Sequence, residues 1–342
     1  MGLERERKSP REAGSIETCL GGHNDSTKAR RGRNAANLSG GPDKRRPRRT
    51  AAQVEQLERQ ILAELRADHP QSVRHVFYRM TDPRLPESVE KSERGYAQVQ
   101  HRMTLMRRSG ALPYGWITDA TRRGYFTNTF RGGGDFIRTM AGHYRATLWE
   151  QAEHYVEVWC ESRSIAGTIE DTCSELAVSL YPAGGFTSLT LAYESARFIN
   201  AEAAGRPVEI IYIGDFDPAG VLIDGAIEKE LRQHLADDVT LRFHRIAITR
   251  EQIAELDLPT KPRKAGERRA REVEFTVEAE AMPAHLMREL LRETVERFLP
   301  AGALEVVKVA EESERDGLRR LGLLLDEYGS ASTLCDVLDG AP

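Results

Sequence analysis

The chain has 342 residues, 40% of them hydrophobic, enough for two domains with real cores. No apolar run approaches the roughly 18 residues of a membrane span, no secretory h-region opens the chain, and the four widely spaced cysteines exclude a disulfide framework or a Cys-x-x-Cys zinc site. A net charge of −4 conceals an uneven distribution: residues 1–50 hold 13 Lys/Arg against 6 Asp/Glu, leaving a net acidic body.

Residues 1–50 are rich in Gly, Ser, Asn, Pro and Arg/Lys, and are expected to be a disordered basic tail. From Ala51 to Ala67 the stripe Val54, Leu57, Ile61, Leu62 and Leu65 predicts a helix, which His69-Pro70 ends. Ser72 offers an N-cap for a second helix, Val73 to Thr81. Val73, Val76, Phe77 and Met80 form its packing face, while Tyr78 falls outside that stripe, about 40° from Arg74. Tyr78 is therefore expected to be presented beside a cation rather than buried; a packed tyrosine with a surface arginine is the alternative.

Ser92 opens a third helix, Glu93 to Arg108, with Tyr96, Val99, Met103 and Met106 inward and Arg94, His101 and Arg108 on the opposite side. Leu112 to Phe126 suits a β-wing. Three short helices and a hairpin suggest a winged helix-turn-helix over residues 51–150, whose third helix would contact DNA through Arg94, His101 and Arg108. Gly132-Gly133-Gly134 is expected to be a hinge or wing tip, followed by a helix from Phe136 to about Ala152.

The second domain, 151–342, begins with a strand ending at Glu161, then a helix from about Ser164 to Leu176. Val208 to Gly214 is an apolar, β-branched run with the character of a buried parallel strand. It ends in Asp215-Phe216-Asp217-Pro218-Ala219-Gly220, and a helix follows from Val221 to Leu235. Asp215 and Asp217 have strand spacing, roughly 6 to 7 Å apart on one side. Ends of parallel strands converge on one edge, so Glu161 can join them, and three carboxylates together call for a hard divalent cation, Mg²⁺ or Mn²⁺. An Asp-rich turn that caps a helix is the plainer alternative.

A strand ending in Glu, a helix, and a later strand ending Gly-Asp-Phe-Asp-Pro-Ala-Gly closely resemble the Toprim domain of topoisomerases, primases and some nucleases, over roughly residues 150–300. The form is most similar to the topoisomerase VI A subunit and the meiotic double-strand-break proteins related to it. The resemblance implies that Glu161, Asp215 and Asp217 bind Mg²⁺ beside a scissile DNA phosphodiester. Arg74-His75-Val76-Phe77-Tyr78 resembles the Arg-x-x-Tyr-Tyr signature of the same family, with Phe77 in place of the first tyrosine, and this implies that Tyr78 attacks DNA with Arg74 assisting. It further implies a homodimer in which Tyr78 of one subunit serves the carboxylates of the other and a nucleoid-associated cytoplasmic location; with no ATPase motif read in the sequence, the chain is expected either to cleave, nick or relax DNA alone or to work with a separate ATPase partner. A Toprim nuclease using water, or a DNA-binding regulator that does not cleave, are the rival expectations.

Val239 to Ile248 predicts another strand and Arg250 to Leu256 a helix. Lys261, Arg263, Lys264, Arg268, Arg269 and Arg271 then crowd one loop, a natural phosphate contact. Val277 to Pro283 looks like an acidic stretch of small bacterial relatives of the A subunit, and its Glu278 and Glu280 are weighed as an extra metal contact. Helices are expected from His285 to Phe298 and from Val306 to Glu327.

Overall fold

The computed structural model of the chain describes residues 49–118, 127–184, 189–263, 270 and 273–329. Contacts separate residues 1–48 from a second unit, Arg49–Pro342, to which everything described belongs. The basic tail up to residue 48, residues 119–126 of the expected wing, and Lys264, Arg268, Arg269 and Arg271 of the basic loop lie outside the described residues.

Three helices come first: α1 (Ala51–Ala67), α2 (Val73–Met80) and α3 (Glu93–Arg108). Their starts follow from side-chain caps. Thr50 and Gln53 form a capping box on α1, Ser72 accepts from the His75 N–H, and Ser92 accepts from the Gly95 N–H. After α3 the described part of the expected wing, as far as Thr118, holds one 3-10 turn at Tyr114–Trp116 and a parallel bridge from Ile117 to Gln71.

α4 spans Gly133–Ala141, so the glycine run opens a helix instead of forming a hinge, and the helix stops at Gly142, well short of Ala152. Close packing explains Gly134 of this run, while a Cβ on Gly132 or Gly133 would meet nothing within 4 Å. A Cβ on Gly134 would overlap the Gly322 carbonyl oxygen, and one on Gly322 would stand 2.8 Å from the Gly134 carbonyl oxygen. Gly134→Ala is expected to destabilise the protein by about 1–3 kcal/mol, read as a lowered urea midpoint; an unchanged midpoint contradicts this packing.

The centre is an α/β layer: β1 (Tyr155–Cys160), α5 (Arg163–Glu175), β2 (Ser179–Pro182), α6 (Leu189–Glu202), β3 (Val208–Ile213), α7 (Gly220–Arg232) and β4 (Leu241–Ala247). All four strands are parallel, in the order β2-β1-β3-β4. Side chains alternate between two cores. Val156, Val158 and Cys160 of β1 and Ile211 and Ile213 of β3 join a cluster with α5 and the later helix α9 (Ala284–Glu296). Trp159, Val208, Ile210 and Tyr212 join α6 and α7 in the other. The first cluster continues without a break into Leu57, Val76, Phe77 and Val99 of the N-terminal helices.

After β4 come α8 (Arg250–Glu255), the two-residue strands β5 (Lys261–Pro262) and β6 (Phe275–Thr276), a 3-10 turn at Ala279–Ala281, α9, and α10 (Ala303–Tyr328). No described helix is long and apolar enough to cross a membrane.

Candidate acidic site at the sheet edge

β1 leads to β2 on one side and β3 leads to β4 on the other, so the strand order reverses between β1 and β3. Open α/β sheets bind ligands at the carboxyl ends of strands at this reversal. Glu161 follows β1 there and Asp215 follows β3, and Glu161 Oε2 accepts from the Asp215 N–H at 2.8 Å. Asp217 Oδ1 accepts from the Ala219 and Gly220 N–H groups at 2.8 and 2.5 Å, so it also serves the start of α7, the role named by the plainer alternative. Arg245 of β4 fixes the loop from outside. It donates to the carbonyl oxygens of Gly214, Asp215 and Gly220 at 3.2, 3.3 and 2.6 Å, and pairs with Asp224 at 2.8 Å.

A fourth acid comes from far along the chain. The segment after β6 bridges to the loop, with Phe216 and Val277 exchanging both backbone bonds at 2.9 Å, and Asp215 Oδ1 accepting from the Ala279 N–H at 2.8 Å. Glu280 is thereby buried at the same place, bonded to the Ser164 side chain. Burial, and then the charges of Glu161 and Glu280, raise the Asp215 carboxyl well above its ordinary range. Glu161 and Glu280 are also pushed upward, chiefly by burial, with Asp217 adding repulsion at Glu161.

The donor set fits a hard divalent cation. The oxygens are carboxylate, their charges oppose one another, and among the described residues Oε1 of Glu161 and Oδ2 of both Asp215 and Asp217 carry no bond. Among the described residues no three His, Cys, Asp or Glu side chains stand close enough together to hold a metal ion as they lie; Glu161, Asp215 and Asp217 each turn one oxygen to backbone N–H groups.

Tyr78 departs from expectation. Its side chain is buried, with the residue 3% exposed, and its ring lies 5.2 Å from that of Phe77. A single amphipathic stripe presumes a single partner, whereas α2 packs against α1, against α3 and against the 3-10 turn at Ala279–Ala281. Arg74 draws the phenol's pKa down, but by less than burial and Glu278 raise it. Arg74 pairs with Glu278, which also takes Lys261 Nζ at 2.8 Å and a hydrogen bond from Tyr78. Burial and the Glu278 charge raise the Tyr78 pKa, the reverse of activation. Glu278 itself is held low, since Lys261 and Arg74 outweigh its burial.

The remaining expected contacts divide. Arg94, His101 and Arg108 are exposed on α3. Lys261 is engaged by Glu278, and Arg263 donates to the Ala270 and Val273 carbonyl oxygens at 2.8 and 3.1 Å, so both serve the protein before any phosphate. Lys91 is a cation that pattern reasoning passed over. Its ammonium is enclosed, without a hydrogen-bond partner among the described residues, 5.7 Å from the centre of the Tyr78 ring; burial and Lys261 lower it to about 8.

Compared with known proteins, the chain matches no family model, no curated protein and no solved structure.

Proposed function

We propose that this chain cleaves DNA phosphodiesters with the help of a divalent cation, through a Toprim-like acidic edge and a winged-helix-like N-terminal region. The observation that carries the reading is that Glu161 and Asp215 meet at the reversal of strand order, Glu161 Oε2 held by the Asp215 N–H and Asp215 Oδ1 by the Ala279 N–H, with Glu280 adding to their mutual repulsion. Glu161, Asp215 and Asp217 would hold Mg²⁺ or Mn²⁺, with Glu280 behind them. The cation would neutralise these carboxylates and stabilise charge on a phosphate oxygen.

The chain's own groups supply the rest. Glu161 Oε1, free of bonds to the described residues, is the oxygen that would face the cation. Arg94, His101 and Arg108 lie exposed on one helix, suited to the phosphate backbone. Tyr78 is enclosed and held protonated, which favours water as the nucleophile.

Tyrosine transesterification, as in a type IIB topoisomerase A subunit, is the second reading. One observation favours it: Glu278 contacts Tyr78 and acts electrostatically on Asp215, linking phenol and acidic edge within one chain. Such an enzyme would draw on a separate ATPase partner for strand passage. Replacing Tyr78 by Phe separates the two. The water route predicts cleavage within about twofold of wild type and no protein attached to DNA on a denaturing gel. Loss of cleavage, with a covalent adduct in the wild type that the variant lacks, would establish the tyrosine instead.

A further inference from the structure

Three cations surround Tyr78, and they share one carboxylate. Lys91 Nζ stands 5.7 Å and Lys261 Nζ 6.0 Å from the centre of the Tyr78 ring, while Arg74 lies one turn earlier on α2 with its guanidinium 5.2 Å from the Tyr96 ring of α3. Glu278 is fully used: Oε1 takes Lys261 Nζ at 2.8 Å, Oε2 takes Arg74, and the Tyr78 hydroxyl bonds to the same carboxylate. No acceptor remains for Lys91, whose covered ammonium is bonded to none of the described residues. Glu280 acts on Arg74 and Tyr78, whereas the charges acting on Lys91 are those of Lys261 and Glu278.

An ammonium carries three donors and no acceptor, and it is costly to cover without a partner. Lowered to about 8, Lys91 is still mostly protonated at neutral pH, so the folded chain holds a positive charge that it does not compensate. An anion from outside would.

We propose that Lys91 and Lys261 form the seat of one phosphate group of a bound DNA strand, with Lys91 its deepest contact. The identity of the ligand rests on the DNA-cleavage reading; the seat itself does not. A phosphate presents several oxygens to several donors at once, which is what this cluster lacks. The way in lies past the longer side chains, since those of Arg74 and Lys261 are 40% and 38% exposed. Position agrees as well. Glu278 immediately precedes Ala279, whose N–H holds Asp215 Oδ1, so the seat and the acidic edge adjoin along the chain. A strand crossing both would meet the divalent cation at the acids and two ammoniums beside it. The enclosed Tyr78 ring then serves as the wall that both ammoniums face.

Lys91→Met is the test, made on the full chain in EDTA so that cleavage plays no part. In chloride buffer the variant is expected to melt about 2–4 °C above wild type, because an uncompensated charge has given way to an apolar chain of similar length. Inorganic phosphate at equal ionic strength should stabilise wild type more than the variant. A labelled oligonucleotide titrated between about 50 and about 200 mM salt should bind Lys91→Met with a salt slope smaller by about 1, and Lys91→Arg with the slope of wild type. A variant less stable than wild type in chloride, or an equal response of both proteins to phosphate, overturns the seat. A phosphate response confined to wild type, with equal salt slopes, overturns DNA as its source and leaves free phosphate. Cleavage in Mg²⁺ is scored separately: its absence beside the expected stability and slope differences counts against the catalytic reading alone, and its presence without those differences counts against the seat alone.

Discussion

Asp215→Asn is expected to stabilise the metal-free protein while lowering DNA cleavage by about 10²–10³-fold. Burial and the charges of Glu161 and Glu280 hold the Asp215 carboxyl well above its ordinary range. An acid raised on folding keeps its proton in the native chain where the unfolded chain has already released it. Its penalty is therefore absent below the ordinary value of about 4 and grows as pH rises through the raised one. Asparagine keeps an oxygen for the Ala279 N–H and removes the charge. In urea unfolding with EDTA, the wild type should lose more stability than Asp215→Asn between about pH 5 and about pH 8. Equal slopes, with the variant weaker throughout, would show that Asp215 is not electrostatically strained.

Gly220→Ala should disable the site without touching a carboxylate. Its Cβ would overlap the Asp215 carbonyl oxygen and stand 3.3 Å from Asp217 Oδ1, so the loop bearing both acids must move. The space cannot open easily, because Arg245 holds the Asp215 and Gly220 carbonyl oxygens together. A fall in cleavage of about 10- to 100-fold is expected, as for displaced supporting groups at metal sites. Gly225→Ala is the control, in the same helix but facing open space. If both variants cleave like wild type, the loop does not set the position of the acids.

Much of this arrangement is legible in the residues. Ser72 and Ser92 announce their helices because a side-chain oxygen must meet orphan N–H groups there. Five of the six residues of Val208–Ile213 are apolar or aromatic because both faces of β3 are covered; the sixth, Glu209, is buried as well and pairs with His154, Arg242 and His244. The convergence of Glu161 with Asp215 follows from parallel strands lying side by side.

The parts that escaped are those decided by distant chain. β2, Ser179–Pro182, is a four-residue edge strand, too short for a periodic signal, and α6 hides its inward face by exposing Leu189, Tyr193 and Phe198. Tyr78 misleads because the surface that covers it, around Ala279–Ala281, lies some 200 residues later. Glu280 can be suspected from its spacing with Glu278, but only the Phe216–Val277 bridge brings it to the acids. Lys91 sits in a loop with no pattern around it, and its enclosure is set by the fold alone.

The most direct measurement is incubation of the full chain with end-labelled DNA in Mg²⁺, in Mn²⁺ and in EDTA, resolved on a denaturing gel beside Asp215→Asn. The account predicts cutting in either metal, none in EDTA, and little by the variant. Intact DNA in both metals, or equal cutting by Asp215→Asn, would contradict it.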